Sequence, residues 1–347
     1  MNPPNVSIII LNWNGWSDTI ECLESLYRIT YPSYNVIVVD NNSSDESIEK
    51  IKEYCNGKLK LISKFFEYSP NNKPIEFFEY TQIDALKDTK LEDAKFVNLP
   101  SNRKVILIKN DLNYGFAEGN NIAIRYALKC LNSNYFLLLN NDTVVDNEFL
   151  DELVTVAQSD ESIGIVGPKV YYYDYNGKNN VIWSAGGNLC WWHELVYSHI
   201  GFNKIDNGDY DLIKSVDWIS GAALMVKASI LNESSLLNSK YFFGSEDVEL
   251  CIKVKRKGLR IIYVPKSKVW HKVGISRSKI GFRIRNFGDY FFFIKQNFSS
   301  FIYIYHVILF LIIILPKSAI LYILKYRDKE SFFNFLSNIR GIFINKR

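Results

Sequence analysis

Tyr135-Phe136-Leu137-Leu138-Leu139-Asn140-Asn141-Asp142-Thr143 is the stretch on which the fold of this chain turns. An unbroken apolar run bounded by polar residues marks a buried strand of a parallel sheet. The strand delivers two amides and a carboxylate to its carboxyl end, which is where open α/β sheets bind ligands. Asp142 then stands where a hard cation bridges the protein to a diphosphate. Taken alone, the stretch reads more simply as a polar turn after a core strand, so the other strand ends decide.

Val6 to Leu11 is another buried run, and it ends in Asn12-Trp13-Asn14-Gly15. A helix is expected from near Asp18, with Glu21 completing a capping box. Val36 to Val39 form the next strand, ending in Asp40-Asn41-Asn42-Ser43-Ser44-Asp45, with Ser43 and Glu46 capping the helix that follows. This spacing gives a βαβ unit with a right-handed crossover. Asp40 is placed to accept hydrogen bonds from a ribose or a base. Residues 57–102, punctuated by Pro70, Pro74 and Pro100, read as an insertion at the rim of the sheet, with a short amphipathic element over Ile83 to Leu91. The sheet resumes at Val105 to Ile108. Asn113-Tyr114-Gly115-Phe116-Ala117-Glu118-Gly119-Asn120-Asn121 then opens a helix whose glycines admit close backbone approach and whose N-terminus favours an anion. Its glycine spacing is not the dinucleotide fingerprint.

The 347 residues suffice for one large or two ordinary domains. Five cysteines at scattered positions form no metal or redox spacing, which fits reduced thiols in a cytosolic setting. Met1 to Val6 has neither the basic nor the apolar region of a signal peptide. The net charge of +4 hides an asymmetry: Leu250 to Arg347 holds 20 basic and 3 acidic residues, leaving the rest acidic. A basic third points to an anionic partner such as a membrane surface, unless it is simply a solvated face. No recognised nucleic-acid module occurs there, so nucleic acid is not expected as a partner.

Asn-Trp-Asn-Gly after a first strand, then Val-Val-Asp-Asn-Asn-Ser-Ser-Asp, then Asn-Tyr-Gly-Phe-Ala-Glu-Gly-Asn-Asn, then Leu-Leu-Asn-Asn-Asp together resemble the family 2 glycosyltransferases. The closest branch is the inverting, rhamnosyltransferase-like one, and the similarity runs from about Val6 to about Arg285. It implies an α/β, Rossmann-like GT-A fold of the nucleotide-diphospho-sugar transferases, with a mostly parallel central sheet. It also implies a nucleotide-sugar site of Asn12, Asn14, Asp40, Asn42, Gly115, Asn120, Asn140 and Asn141. Asp142 becomes the ligand of a DXD-like motif for Mg²⁺ or Mn²⁺. Asn140 and Asn141 replace two carboxylates of that motif, which predicts a weaker metal site.

The second half then supplies acceptor site and base. Trp183-Ser184-Ala185-Gly186-Gly187 resembles the loop leading to the acceptor side, and Asp217 to Val226 joins a loop to a strand. Trp218 and Gly221 are the acceptor-site candidates; Trp218 is suited to stacking on a sugar or equally to core packing. Adjacent carboxylates in Phe242-Phe243-Gly244-Ser245-Glu246-Asp247 suit a helix start as capping charges. The resemblance makes Asp247 the general base of a single displacement, with Glu246 shaping its pocket. It also assigns His271, in Val269-Trp270-His271, to the metal or diphosphate. Arg283, Arg285 and Asn286 look like the Arg-Asn segment after the catalytic domain.

The expected organisation is a catalytic domain over 1–285 and a helical, basic, membrane-associating region over 286–347. Phe301 to Leu315 is apolar and meets Pro316; it spans a membrane only if helix continues to Leu324, and otherwise lies in the interface or re-enters. A dimer interface is the alternative. The expected activity is inverting transfer from a nucleoside-diphosphate sugar to a glycan or polyprenyl-diphosphate-linked acceptor. That places the protein at the cytoplasmic membrane face, in surface polysaccharide or glycoprotein glycan assembly. A non-catalytic sugar-nucleotide or glycan-binding subunit is the rival.

Overall fold

Apolar runs without alternation fold here as strands covered on both faces. The computed structural model describes residues 3–87, 94–192, 196–231, 236–242, 244–273 and 287–317. Its first half comprises β1 (Val6–Asn12), α1 (Trp16–Leu26), β2 (Tyr34–Asp40), α2 (Ser47–Cys55), β3 (Glu76–Thr81), α3 (Gln82–Leu86), α4 (Ala94–Asn98), β4 (Lys104–Lys109) and α5 (Gly115–Cys130). There follow β5 (Tyr135–Asn140), β6 (Thr143–Val145), α6 (Phe149–Gln158), β7 (Ile163–Tyr172), β8 (Val181–Ser184), β9 (Gly187–Leu189) and β10 (Tyr197–His199). Then come β11 (Lys204–Ile205), β12 (Lys214–Ser215), β13 (Ala223–Lys227), α7 (Glu246–Arg256) and β14 (Arg260–His271). The chain divides into two compact units, residues 1–187 with 199–273, and residues 188–198 with 274–347.

In the first unit β5, β1, β2, β4 and β3 lie side by side in that order, all parallel. β13 joins antiparallel to β5, and β7, β8 and β11 extend that side. This is the α/β sheet with parallel central strands that the sequence predicts. Register matters most at the strand ends: Asn12 pairs with Asp40, and Leu11 with Asn140. Gly119 of α5 allows the helix to lie against β1, since a Cβ there would sit 2.6 Å from Leu11 Cδ1.

Three local expectations change. The insertion contributes an edge strand, β3, parallel to β4, and α3 covers the start of the expected amphipathic element; residues 88–91 lie outside the described set. α1 begins at Trp16 without a side-chain cap, because Asp18 and Glu21 turn instead to Lys272. Ser43 bonds Asp40 and caps nothing; Asp45 accepts the Ser47 N–H at 3.0 Å. The insertion is pinned from beneath by Glu24 of α1, fully buried, which accepts from Tyr54 Oη at 2.7 Å and Lys73 Nζ at 3.0 Å. Burial lowers the Lys73 pKa, with Glu24 partly opposing the shift. All five cysteines are free thiols.

The described part of the second unit holds α8 (Phe287–Asn297) and α9 (Ser300–Leu309). A π-helical turn, Phe310–Ile314, follows, and helix runs on through Pro316 to Lys317. A proline cannot donate to the carbonyl four residues earlier, and a π turn just before it relieves that mismatch. His306, Phe310 and Ile314 form the buried stripe, while Phe301, Ile304, Ile308, Leu311 and Ile312 are exposed. His306 Nε2 lies 2.8 Å from the Trp191 carbonyl, which makes it the donor. Nδ1 then accepts from Tyr290 Oη at 3.1 Å, and Tyr290 in turn accepts the Val196 N–H. The stretch Ser300–Lys317 is long and apolar enough to cross a membrane by length and composition.

Lys73→Met leaves buried Glu24 with only the partly exposed Arg28, 3.7 Å away, as its cation, and we expect a loss of about 2–4 kcal/mol in urea unfolding. An unchanged midpoint would show that the insertion is not held by this pair.

Candidate active site at the strand ends

The turn after β1 and the turn after β2 are cross-linked by side chains. Asn12 Nδ2 donates to Asp40 Oδ1 at 2.8 Å, and Ser43 gives Asp40 both its N–H at 3.0 Å and its hydroxyl at 2.7 Å. Asn14, in the left-handed region at φ 49°, turns its Oδ1 to the N–H groups of Ser44 and Asp45. Asn tolerates that backbone conformation better than other non-glycine residues. Thr19 of α1 donates its hydroxyl to Asn12 Oδ1 at 2.8 Å and accepts from Asn141 Nδ2 at 3.0 Å. Asn41 is buried and ties the turn to the next strand end, accepting from Asn110 Nδ2 and donating to Asn113 Oδ1.

The second feature is a corner made by Asp142 and His271. β6 pairs antiparallel with the end of β14, His271 opposite Thr143, and Lys272 N–H donates to the Asp142 carbonyl at 2.9 Å. The register sets Asp142 Oδ1 3.1 Å from His271 Nε2, both residues buried. That separation is not a hydrogen bond: Asp142 Oδ1 and His271 Nδ1 are buried polar atoms without a hydrogen-bond partner. Asn140 Nδ2 faces His271 Nε2 at 3.4 Å, which suits an Nε2 carrying its lone pair. A carboxylate oxygen and an imidazole lone pair about 3 Å apart are spaced as neighbouring ligands of an octahedral cation with bonds of about 2.1 Å. The residues therefore fit a divalent metal. No group of three or more His, Cys, Asp or Glu gathers among the described residues. Cys22 is buried 3.6 Å from the Thr143 hydroxyl, and burial pushes its pKa up to about 12.

Lys272 braces the corner. Its ammonium lies 2.7 Å from Asp18 Oδ1 and 2.6 Å from Glu21 Oε2. Burial opposes that charge, but the bonds to Asp18 and Glu21 outweigh it and raise the Lys272 pKa.

Asp247 is anchored in the first turn of α7. Its Oδ2 accepts the Gly221 N–H at 2.7 Å and its Oδ1 the Val248 N–H at 2.8 Å. Ser245 enters the helix at φ 75° and makes no side-chain cap, so Asp247 partly serves as the capping charge. Glu246 beside it is buried. The anchor connects to the Asp142–His271 corner: Asn140 N–H donates to the Ala222 carbonyl at 3.0 Å, one residue after Gly221. Glu249 accepts from Tyr241 Oη at 2.6 Å and from Asn238 Nδ2 at 3.1 Å, holding the preceding loop. Burial works against the Glu249 charge, yet these bonds lower its pKa overall.

Several expected roles read differently in place. Trp218 is 2 % exposed, with its ring 4.7 Å from His199 and over Gly187, where a Cβ would lie 2.1 Å from it. Its ring is a core element, closed to a sugar. Gly221 spends its N–H on Asp247. Gly115, at φ 74°, makes room for the Phe242 carbonyl, which accepts the Phe116 N–H at 2.8 Å. Asn120 donates back to the Phe116 carbonyl. Asn42 is exposed at φ 60°. Thr19 and Lys272 escaped the sequence reading; Asn41, Ser43 and Trp183 lie inside quoted motifs but were not singled out as site residues. Trp183 stands with its ring 4.8 Å from His271 and 4.5 Å from His199. Arg283, Arg285 and Asn286 lie outside the described residues.

Residues 84–288 match the family described as "Glycosyltransferase like family 2", and residues 7–68 match "Glycosyl transferase family 2". A hexosyltransferase of low-salt glycan biosynthesis from Haloferax volcanii is 28% identical over 257 residues, covering 74% of this chain and 64% of that protein. A rhamnosyltransferase of Escherichia coli is 26% identical over 157 residues, 44% of this chain and 58% of the relative. Both matches thus span less than two thirds of the relative's own length. Among solved structures, a mannosyltransferase from Pyrobaculum calidifontis in complex with GDP-Man and Mn²⁺ aligns at TM-score 0.53 and 14% identity, over 100% of this chain and 89% of that one. GalNAc-T7 with UDP, GalNAc and Mn²⁺ aligns at TM-score 0.52 and 16% identity, over 78% of this chain and 44% of that one. At these identities the likeness shows a shared GT-A fold.

Gly115→Ala puts a Cβ 2.5 Å from the Phe242 carbonyl and strains a left-handed residue. We expect a loss of about 1–3 kcal/mol in unfolding free energy and a displaced loop at Phe242, read by hydrogen exchange at α7. Unaltered exchange at α7 would mean the contact does not hold that loop.

Proposed function

The chain belongs to the family 2 glycosyltransferases, and from that membership we propose that it transfers a sugar, with inversion, from a nucleoside-diphosphate sugar to a glycan or polyprenyl-diphosphate-linked acceptor. The observation that carries the reading is the Asp142–His271 corner, two buried donors 3.1 Å apart at the carboxyl end of a parallel sheet. The turns carrying Asn12, Asn14, Asp40 and Asn42 hold the nucleotide. Asp40 already has its oxygens engaged by Asn12 and Ser43, so it acts by fixing the turn as much as by direct contact. Gly115, Asn120, Asn140 and Asn141 shape the wall toward the sugar. Gly221 positions the base on the acceptor side.

In the reaction, Asp247 takes the proton of the acceptor hydroxyl as that oxygen attacks the anomeric carbon. The bond from the anomeric carbon to the diphosphate oxygen breaks in the same displacement, and the configuration inverts. The N–H groups of Gly221 and Val248 hold the carboxylate in one orientation, so no alignment is needed at the moment of transfer. Glu246 shapes the pocket beside it. Mg²⁺ or Mn²⁺ held by Asp142 and His271 would neutralise charge on the departing diphosphate, which would complete the coordination with water.

We assign 1–285 to catalysis and 286–347 to the cytoplasmic face of a membrane. The outward row Phe301, Ile304, Ile308, Leu311 and Ile312 has no polar residue to present to water. A helix apolar all round requires a second apolar environment. The basic balance of the last third suits anionic headgroups. A second copy of the chain is the other surface that would cover this row.

The test is calorimetry of the protein against UDP-, dTDP- and GDP-sugars with Mn²⁺, Mg²⁺ or chelator. Metal-dependent binding of one nucleotide class is expected, and no binding by folded protein would overturn the reading. Asp247→Asn is expected to reduce transfer by at least about 10²-fold with donor affinity unchanged. Retained turnover would remove Asp247 as the base.

A further inference from the structure

We propose that Lys272 is the positioning residue of the metal corner, locking His271 and Asp142 to the helix that follows the nucleotide-binding turn. The inference rests on the reading of that corner as a metal and diphosphate site.

The lock is a closed ring of contacts. Lys272 follows His271 directly, and its N–H donates to the Asp142 carbonyl at 2.9 Å. Its ammonium bonds Asp18 and Glu21 of α1, 254 residues earlier in the case of Asp18. Glu21 uses its other oxygen to accept from Tyr173 Oη at 2.9 Å, and the Tyr173 N–H donates to the His271 carbonyl at 2.9 Å. The Lys272 ammonium also lies 4.8 Å from the centre of the Tyr173 ring. His271 is thereby held on both sides, through the residue after it and through the strand next to it.

α1 carries the consequence to the nucleotide side. Thr19 sits between Asp18 and Glu21 in sequence, and its hydroxyl touches both Asn12 and Asn141. One lysine thus fixes the helix that places Thr19 and the backbone that places Asp142. Asp18 and Glu21 are both buried, so removing Lys272 leaves two carboxylates that must find water or move. Movement of α1 opens the corner, and Asp142 and His271 lose their 3.1 Å spacing. Groups that orient metal ligands act in this way on metal affinity even without touching the metal.

The experiment measures binding of UDP, dTDP and GDP by calorimetry, each with Mn²⁺ and with chelator. It uses the full chain, Lys272→Met, Lys272→Arg and the triple variant Asp18→Asn/Glu21→Gln/Lys272→Met. For the nucleotide that the parent binds, Lys272→Met is expected to weaken Mn²⁺-dependent affinity about 10- to 100-fold while metal-free affinity stays within a few-fold. Lys272→Arg keeps both bonds and should stay close to the parent. The triple variant removes the buried charges and so keeps the protein folded, but it lacks the tie and should remain weak. Parent-like Mn²⁺-dependent affinity in Lys272→Met overturns the inference. Restored affinity in the triple variant also overturns it, since charge balance would then be all that Lys272 supplies. Absence of Mn²⁺-dependent binding in the parent itself overturns the underlying reading instead.

Discussion

The pairing of β6 with the end of β14 is the constraint on which the site depends. β6 is only Thr143–Val145, and its partner is the last strand of the first unit. The three-residue ladder sets His271 opposite Thr143 and so beside Asp142. A shift of one residue would turn His271 to the other face. On its other edge β14 pairs with β7, Lys268 to His271 opposite Lys169 to Tyr172, which opposes that slip. The placement of His271 beside Asp142 is therefore set by a strand register.

A second level of order lies in the side-chain amides. Asn12, Asn14, Asn41 and Asn141 each bond to a turn other than their own. Amides both donate and accept without charge, so they brace the proposed nucleotide surface without adding repulsion to an anionic ligand. Asp40, the carboxylate among them, is held by Asn12 and Ser43. Asp247 is tied to the end of β5 by two bonds, the backbone pair Asn140 N–H to the Ala222 carbonyl and the Gly221 N–H to Asp247 Oδ2. Asp247 and the Asp142–His271 corner, the proposed base and metal site, thus share the end of β5 as their reference point.

Much of this was legible in the chain. Continuous Val, Ile and Leu runs identified β1, β2, β4 and β5, and the Asn-rich turns marked their carboxyl ends. What escaped was non-local. Asp18 and Glu21 carry the spacing of a capping box, yet a lysine far along the chain claims both. Ser43 suits a helix cap and instead serves Asp40. β3 was hidden because Glu76–Thr81, at the sheet edge and mostly half-buried or exposed, has neither a continuous apolar run nor a clean alternation. Trp218 carries the chemistry of a sugar platform and is used for packing, a choice made by Gly187 opposite it.

The most direct measurement is pulsed electron paramagnetic resonance of Mn²⁺ on protein with ¹⁵N-labelled histidine and the bound nucleoside diphosphate. The account predicts one Mn²⁺ environment coupled both to a histidine nitrogen and to diphosphate phosphorus, with the nitrogen coupling lost in His271→Ala. Phosphorus coupling with no histidine coupling in the parent protein would contradict it, because Asp142 and His271 would then not form the metal corner.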